Sequence, residues 1–125
     1  MLDGLWRFTF SSDEGQSETV EDLRLAVDGE GVLITPVVDG RSRIDQRRPG
    51  SVKGSPDSFT LDAEWPALGP LPAGCTVSSS RRTLRGRALE SSLSGTFAQR
   101  QVVSGDGCPE QPPVDSHGRF GAARL

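Results

Sequence analysis

Hydrophobic and polar residues alternate with a period of two along much of the chain. This is the pattern of β-strands that bury one face. The alternation is clearest over residues 6–10, where Trp6, Phe8 and Phe10 share one face, and over residues 58–65, where Phe59 and Trp65 share one face with Leu61 and Ala63. Weaker alternation runs over residues 23–27 and 84–97. These segments predict a sheet with one hydrophobic and one wet face.

Turn residues separate these segments. Asp28-Gly29-Glu30-Gly31 and Asp39-Gly40 are strong hairpin signals, and further turns are predicted at residues 54–57 and 90–92. Pro36 interrupts an apolar segment and predicts an edge position or a bulge. We expect a short polar strand over residues 41–48, carrying Ile44 and ending at Pro49-Gly50, and a proline-rich loop over residues 66–74.

Seven or eight short strands joined by tight turns predict an all-β antiparallel meander. It can bury one face by closing into a small barrel or by folding into a sandwich. The segment 17–25 is the nearest approach to a helix, but the alternation from Leu23 onward favours a strand. Residues 1–108 are predicted to form one barrel-like domain. Residues 109–125 are rich in proline and glycine and are predicted to form a flexible tail.

Composition narrows the possible classes of protein. With 125 residues, 34% of them hydrophobic, the chain suffices for one domain with a modest core. No apolar run approaches the ~18 residues of a membrane-spanning helix. The net charge of −3 argues against a nucleic-acid binder. The absence of Tyr and the single lysine, Lys53, indicate a GC-rich genome, and we expect a bacterial or phage origin.

The two cysteines, Cys75 and Cys108, both lie beside turn residues, and we expect them to form a disulfide. A disulfide favours the cell envelope or secretion. Residues 1–10 contain Asp3 and Arg7 and lack the apolar stretch of a secretory signal, which favours the cytoplasm. These two indications of location conflict.

The opening Gly4-Leu5-Trp6 resembles the Gly-x-Trp signature that begins lipocalin-like and avidin-like barrels. The resemblance implies a small barrel in which Trp6 closes the floor. It also implies that an arginine from the last strand packs over this tryptophan. Arg100 is the expected partner, because it follows Phe97 in the last clearly predicted strand.

Catalytic motifs are absent from the sequence. The only histidine, His117, falls in the predicted tail, so no Ser-His-Asp triad is expected, and no Gly-x-Ser-x-Gly motif exists. Asp62 and Glu64 are predicted to lie on the wet face. The spacing of Asp3, Asp13 and Glu14 fits no calcium loop. We therefore expect no enzyme activity, no cofactor and no metal.

The leading hypothesis is a binding module for a small apolar or amphipathic ligand. The candidate ligand-binding residues are the six aromatics of the predicted buried faces: Trp6, Phe8, Phe10, Phe59, Trp65 and Phe97. The other possibility is that the same six side chains fill the barrel themselves and leave no cavity. The alternative is a structural or protein-interaction domain of a bacterial envelope or phage assembly. The oligomeric state is left open.

A basic segment bears on that alternative. Four arginines fall within seven residues with no acid between them: Arg81, Arg82, Arg85 and Arg87. They are expected to lie on a solvated strand exterior. If they meet other basic segments on one surface, they could instead bind an anionic partner.

Overall fold

The computed structural model describes residues 2–13, 18–66 and 71–125. Glu14 of the acidic candidates, the start of the possible helix at Ser17 and part of the proline-rich loop lie outside these residues. The strands are β1 Gly4–Ser12, β2 Glu18–Asp28, β3 Gly31–Val38, β4 Arg41–Ser42, β5 Arg48–Ser55, β6 Ser58–Glu64, β7 Thr76–Leu89, β8 Ser92–Ser104 and β9 Val114–Arg124. A 3-10 helix, Ile44–Gln46, follows β4. None of the described residues forms a helix long and apolar enough to span a membrane.

Eight of these strands close into an antiparallel barrel. Each strand pairs with the next along the chain, with β3 pairing directly to β5, and β1 pairs with β9. The two-residue strand β4 adds to the end of β3. Closure leaves both edges of every barrel strand paired over at least part of its length. The all-β antiparallel prediction is confirmed, and the barrel is the form that the meander takes.

The two ends of the barrel differ in how the strands are connected. At the end that we call the turn end, the strands are joined by two-residue turns at residues 29–30, 56–57 and 90–91, all close to predicted turn positions. At the opposite end, the loop end, longer segments join β1 to β2, β3 to β5, β6 to β7 and β8 to β9. The loop end is therefore where the chain has room to build a site.

The core forms on the alternating apolar face that the sequence predicts. On β1, Trp6, Phe8 and Phe10 are each at most 2% exposed, while Arg7 between them is exposed. On β6, Phe59, Leu61 and Ala63 are buried in the same way. Burying side chains of this size contributes about 1.5–3 kcal/mol each, which is the main source of stability.

The prediction of a flexible tail over residues 109–125 is wrong for most of that segment. Residues Val114–Arg124 form β9, which pairs with β8 on one side and β1 on the other and so closes the barrel. Its inward positions include Gly118, Phe120 and Ala122. A Cβ at Gly118 would collide with the backbone of Ser11. At Gly118, therefore, glycine reflects the close approach of β1, which leaves no room for a side chain.

The segment around Ile44 also departs from expectation. Only Arg41–Ser42 pairs as a strand, and Ile44 lies in the 3-10 helix with 63% of its surface exposed. Pro49-Gly50 does not end a strand, because both residues lie inside β5. An added Cβ at Gly50 would lie 2.7 Å from the carbonyl oxygen of Asp62, so glycine permits β5 to approach β6 closely. Pro36 lies beyond the point where β3 and β5 stop pairing, as expected for an edge position.

The predicted disulfide is present. Cys75 and Cys108 are bonded, with an S–S distance of 2.00 Å and a Cα–Cα distance of 4.9 Å. The bond ties the β6–β7 connection to the β8–β9 connection at the loop end. It spans 33 residues, and a crosslink of that length stabilises a fold by about 4 kcal/mol in the chain-entropy account.

Candidate functional site: an arginine pair beside a cleft

The six aromatic side chains predicted to hold a ligand all lie in the core of the barrel. The ring of Phe10 is central: its centroid is 5.4 Å from that of Phe97 and 5.7 Å from that of Trp65. Phe120 of β9, which the sequence analysis did not single out, lies 6.2 Å from Phe10. These rings fill the middle of the barrel by packing on each other. Their role in binding a ligand stays a prediction.

Trp6 closes the turn end, but its arginine partner is not the predicted one. The guanidinium carbon of Arg124, at the end of β9, lies 4.1 Å from the centroid of the Trp6 ring. Arg100 instead lies on the exterior, where it forms a two-pronged ion pair with Asp115 at 2.9 and 3.2 Å. The prediction failed because β9 was not foreseen, so the true last strand was missed.

The contacts of this tryptophan–arginine stack are completed by nearby backbone. Trp6 Nε1 donates to the carbonyl oxygen of Leu2 at 2.9 Å, and Arg124 Nη1 donates to that of Asp3 at 2.7 Å. Gly4 has φ +127°, a conformation that favours glycine, and a Cβ there would collide with the Arg124 guanidinium. The Gly-x-Trp opening is therefore explained by local packing.

A second tryptophan with stacked arginines lies toward the loop end. The guanidinium carbon of Arg82 is 4.3–4.9 Å from three ring centroids, those of Phe10, Phe97 and Trp65. Arg82 Nε donates to Gln99 Oε1 at 2.7 Å. Gln99 in turn donates to Ser80 Oγ at 2.9 Å. Arg82 is only 6% exposed, and its Nη1 has no hydrogen-bond partner within the described parts of the chain.

Arg48, the first residue of β5, completes what we call the arginine pair, Arg48 and Arg82. Its guanidinium carbon lies 4.7 Å from the centroid of the Trp65 ring, so both cations contact the same ring. Arg48 is 9% exposed, yet its Nε and Nη2 have no hydrogen-bond partner among residues 2–13, 18–66 and 71–125. A buried donor without a partner costs about 1–3 kcal/mol, and more when it is charged. Such a group requires an explanation.

Burial shapes the electrostatics of the pair. Desolvation lowers the pKa of Arg82 to about 10 and also lowers the pKa of Arg48. The negative charge of Glu21 opposes both shifts, and Arg48 itself further lowers the pKa of Arg82. Both guanidinium groups remain protonated at neutral pH. Glu21 is half-buried and accepts a hydrogen bond from Trp65 Nε1 at 3.3 Å.

The barrel wall opens beside Arg48. Strands β3 and β5 pair only from Gly31 to Ile34, and the last pair is Ile34 with Arg48. Beyond it β3 pairs with the short β4 instead. A cleft of about 500 Å³ lies along this gap, with Arg48 in its lining. Its other walls are formed mainly by apolar and charged residues of β2 and β3, among them Val20, Glu21, Val37 and Val38.

A second cleft lies at the turn end and is less suited to a specific site. It measures about 390 Å³ and includes Phe59, Leu2 and Val52 in its lining. Its charged lining residues, Glu30 and Lys53, are exposed to solvent. It therefore offers apolar surface without a buried group that would orient a ligand.

The remaining sequence candidates lie on the exterior. Asp62 forms an ion pair with Arg81 at 3.1 Å, on the outer surface as predicted. Glu64, on the same strand, is exposed. His117 belongs to β9 and is also exposed.

The sequence analysis missed the arginine pair although the alternation contains a signal for it. Arg82 lies two residues before Leu84 and so shares its inward face, but it was grouped with the exterior arginines. The same parity places Arg48 on the inward side with Gly50 and Val52. Stacking on aromatic rings compensates part of the cost of burying these cations. The expectation that Arg82 is solvated is therefore wrong.

Comparison with models of protein families finds no match, and neither does comparison with curated proteins or with solved structures. No relative therefore assigns a function to the arginine pair or to the cleft.

Proposed function

We propose that this protein is a non-catalytic binding module for a small amphipathic molecule, held in the loop-end cleft with its polar end toward Arg48. One observation carries the proposal: a cleft of about 500 Å³ is lined by Arg48, whose buried guanidinium has donors without a partner among the described residues. Small-molecule sites are typically clefts of about 300–1,000 Å³ that combine apolar walls with a few oriented polar groups. Val20, Val37 and Val38 supply the apolar walls here.

We also propose a lipocalin-like architecture. Its support is the closed barrel together with the Gly4-Leu5-Trp6 opening and the stack of Arg124 on Trp6. Of the six predicted aromatic residues, Trp65 is the one that contacts Arg48. The other five pack within the core, so in this proposal they support the site from the interior of the barrel.

An oxidising compartment, the cell envelope or the exterior, is the proposed location. The Cys75–Cys108 disulfide supports it, because such bonds persist where thiols are not kept reduced. Because this disulfide lies at the loop end, it also restrains two of the strand connections at the same end as the proposed site.

An interaction domain is the second candidate, and the exterior of the barrel favours it. Arg85 of β7 and Arg119 of β9 flank Thr96 of β8 in register, and both arginines are exposed. Arg87 lies two residues further along β7. This basic surface suits an anionic partner.

Displacement of a neutral probe from the cleft tests the proposed function. Nile red, an uncharged dye whose emission rises in apolar surroundings, should bind and be displaced by 1-octanol. Val20→Trp should weaken dye binding at least about 10-fold, because Val20 lines the cleft, is 57% exposed and leaves room for the larger side chain to fill it. Val114→Trp is the matched control, since Val114 is also an exposed strand valine but does not line the cleft.

No dye binding by the wild type, or equal binding by the two tryptophan variants, would contradict the proposed function. The interaction domain would then be the better interpretation.

A further inference from the structure

We propose that the ligand's polar end is a carboxylate, bound side-on by the Nε–H and Nη2–H of Arg48; this rests on the proposed function. These two donors lie on the same edge of the planar guanidinium, so together they match the two oxygens of one carboxylate. Both are buried, and neither has a partner within the described ranges. Arg48 is more than nine-tenths buried and is one of the residues that line the cleft, so a small rotation of its side chain would bring these donors to a ligand held there.

The protein itself shows how this edge binds a carboxylate. Arg7 donates through Nε and Nη2 to the two oxygens of Asp22, at 2.8 and 3.1 Å. Arg100 does the same to Asp115, at 2.9 and 3.2 Å. In both pairs the donors are the atoms that remain free in Arg48. The difference is that Arg7 and Arg100 meet a carboxylate of the chain, whereas Arg48 meets none among the described residues.

The local charge favours a single negative charge on the ligand. Arg48 and Arg82 contact the same ring and contribute two positive charges, and the half-buried Glu21 beside them contributes one negative charge. Glu64 also attracts Arg48 and Asp39 lines the cleft, but both carboxylates are exposed to solvent, so one positive charge has no buried counter-charge among the described residues. A carboxylate would neutralise it, whereas a phosphate dianion would leave an excess negative charge that the desolvated surroundings disfavour.

The rest of the cleft fits an apolar chain attached to that carboxylate. Val20 and Val38 line it and are 57% and 44% exposed, so both side chains are open to contact with a ligand. Pro36 and Pro66 add further apolar lining. The apolar part of the ligand would cover these side chains while its carboxylate reaches Arg48, so the ligand lies along the wall gap and leaves the ring-filled interior unchanged.

A pair of ligands that differ only in the head group tests the inference. Octanoate and 1-octanol carry the same chain length, and both should displace Nile red from the wild-type protein. Octanoate should bind at least about 10-fold more tightly, since a two-pronged charge-assisted contact adds that much selectivity. Octyl phosphate, measured in parallel, should bind more weakly than octanoate.

Substitutions then test whether Arg48 is the residue that produces the preference for octanoate over 1-octanol. Arg48→Met should abolish the preference for octanoate and keep the binding of 1-octanol. Arg48→Lys should keep only a fraction of the preference, because an ammonium group retains the charge but not the fork. Arg47→Met is the matched control: Arg47 is the adjacent arginine, but it is exposed and should leave the preference unchanged.

The possible outcomes separate the two proposals. If neither octanoate nor 1-octanol binds the folded wild type, the proposed function fails. If 1-octanol binds as tightly as octanoate, the function stands and the carboxylate inference is wrong. Preference for octyl phosphate over octanoate, or a preference that survives Arg48→Met, would also overturn the carboxylate inference.

Discussion

Both ends of the barrel pair a tryptophan with arginine, but the hydrogen-bond donors of the two groups are satisfied to different degrees. At the turn end Arg124 stacks on Trp6, and backbone carbonyls of Leu2 and Asp3 accept hydrogen bonds from the two side chains. At the loop end Trp65 contacts both Arg48 and Arg82, yet three of their nitrogen donors lack partners within the described residues. The donors named at the turn end all have acceptors, whereas three donors at the loop end have none among those residues.

Under the proposed function, the difference separates a stabilising role from a binding role. At the turn end, the segment before β1 brings the backbone carbonyl of Asp3 close to Arg124, so its charge is used within the fold. The loop end buries two cations at a cost in desolvation, as the lowered pKa values of Arg48 and Arg82 show. Natural sites often sacrifice stability for function in this way.

The largest effect is expected from removing the tryptophan of the turn end. Trp6→Ala should lower the free energy of unfolding by about 3–5 kcal/mol, because a side chain only 1% exposed leaves a large cavity. Urea unfolding followed by circular dichroism measures this loss. Leu89→Ala is the control, since Leu89 is 51% exposed at the same end and should change stability by less than about 0.5 kcal/mol.

The folded fraction of Trp6→Ala should keep its preference for octanoate. Loss of that preference at full occupancy of the folded state would show that the two ends are not independent.

Opposite signs are expected when the stacked arginines of the two ends are replaced. Arg124→Met should destabilise the protein by about 1–2 kcal/mol, through loss of the cation–π contact and of the hydrogen bond to Asp3. Arg48→Met should stabilise the unliganded protein by about 1–4 kcal/mol, because it removes a buried charge whose Nε and Nη2 donors have no partner in the described part of the chain. Denaturant midpoints with unchanged slopes measure both. Destabilisation by Arg48→Met would mean that its donors are satisfied within the fold.

The smallest effect concerns the barrel wall between the two ends. The hydrogen-bonded ion pair with Arg100 lowers the pKa of Asp115 in the folded state. A carboxyl with a lowered folded-state pKa adds stability that is present at neutral pH and is lost as the pH falls through that pKa. The stability difference between wild type and Asp115→Asn should therefore shrink as the pH is lowered from 7 to about 3. A difference that stays constant with pH would contradict this assignment.

The strands with large inward side chains were predictable from the sequence. On β1 the aromatic side chains of Trp6, Phe8 and Phe10 stand out against polar neighbours, and hydropathy alone identifies the buried face. On β9 the inward positions include Gly118 and Ala122, which hydropathy does not distinguish from a loop. The need for glycine at position 118 arises from Ser11 on β1, a contact across almost the whole chain. No local pattern records it.

The candidate site was hidden for a different reason. Arginine is usually an exterior residue, so residue type alone does not predict that Arg48 and Arg82 lie in the core. The alternation along β5 and β7 places both side chains on the inward face. Alternation alone does not predict whether aromatic rings will surround a cation. The wall gap depends on where β3 changes partner from β5 to β4, after Ile34. That change follows from the three-dimensional path of residues 39–47 and is not encoded in a motif.

The pairing of the first strand with the last has a consequence for biogenesis. The hydrogen bond between Asp3 and Arg124 joins residues 121 positions apart, so the barrel cannot close until nearly all of these residues have left the ribosome. Contacts of such long sequence separation make folding slow. Until β9 docks, one edge of β1 has no neighbour, and its aromatic side chains are open to other nascent chains. The β7–β8 hairpin, by contrast, joins neighbouring segments of the chain and can form before β9 is available.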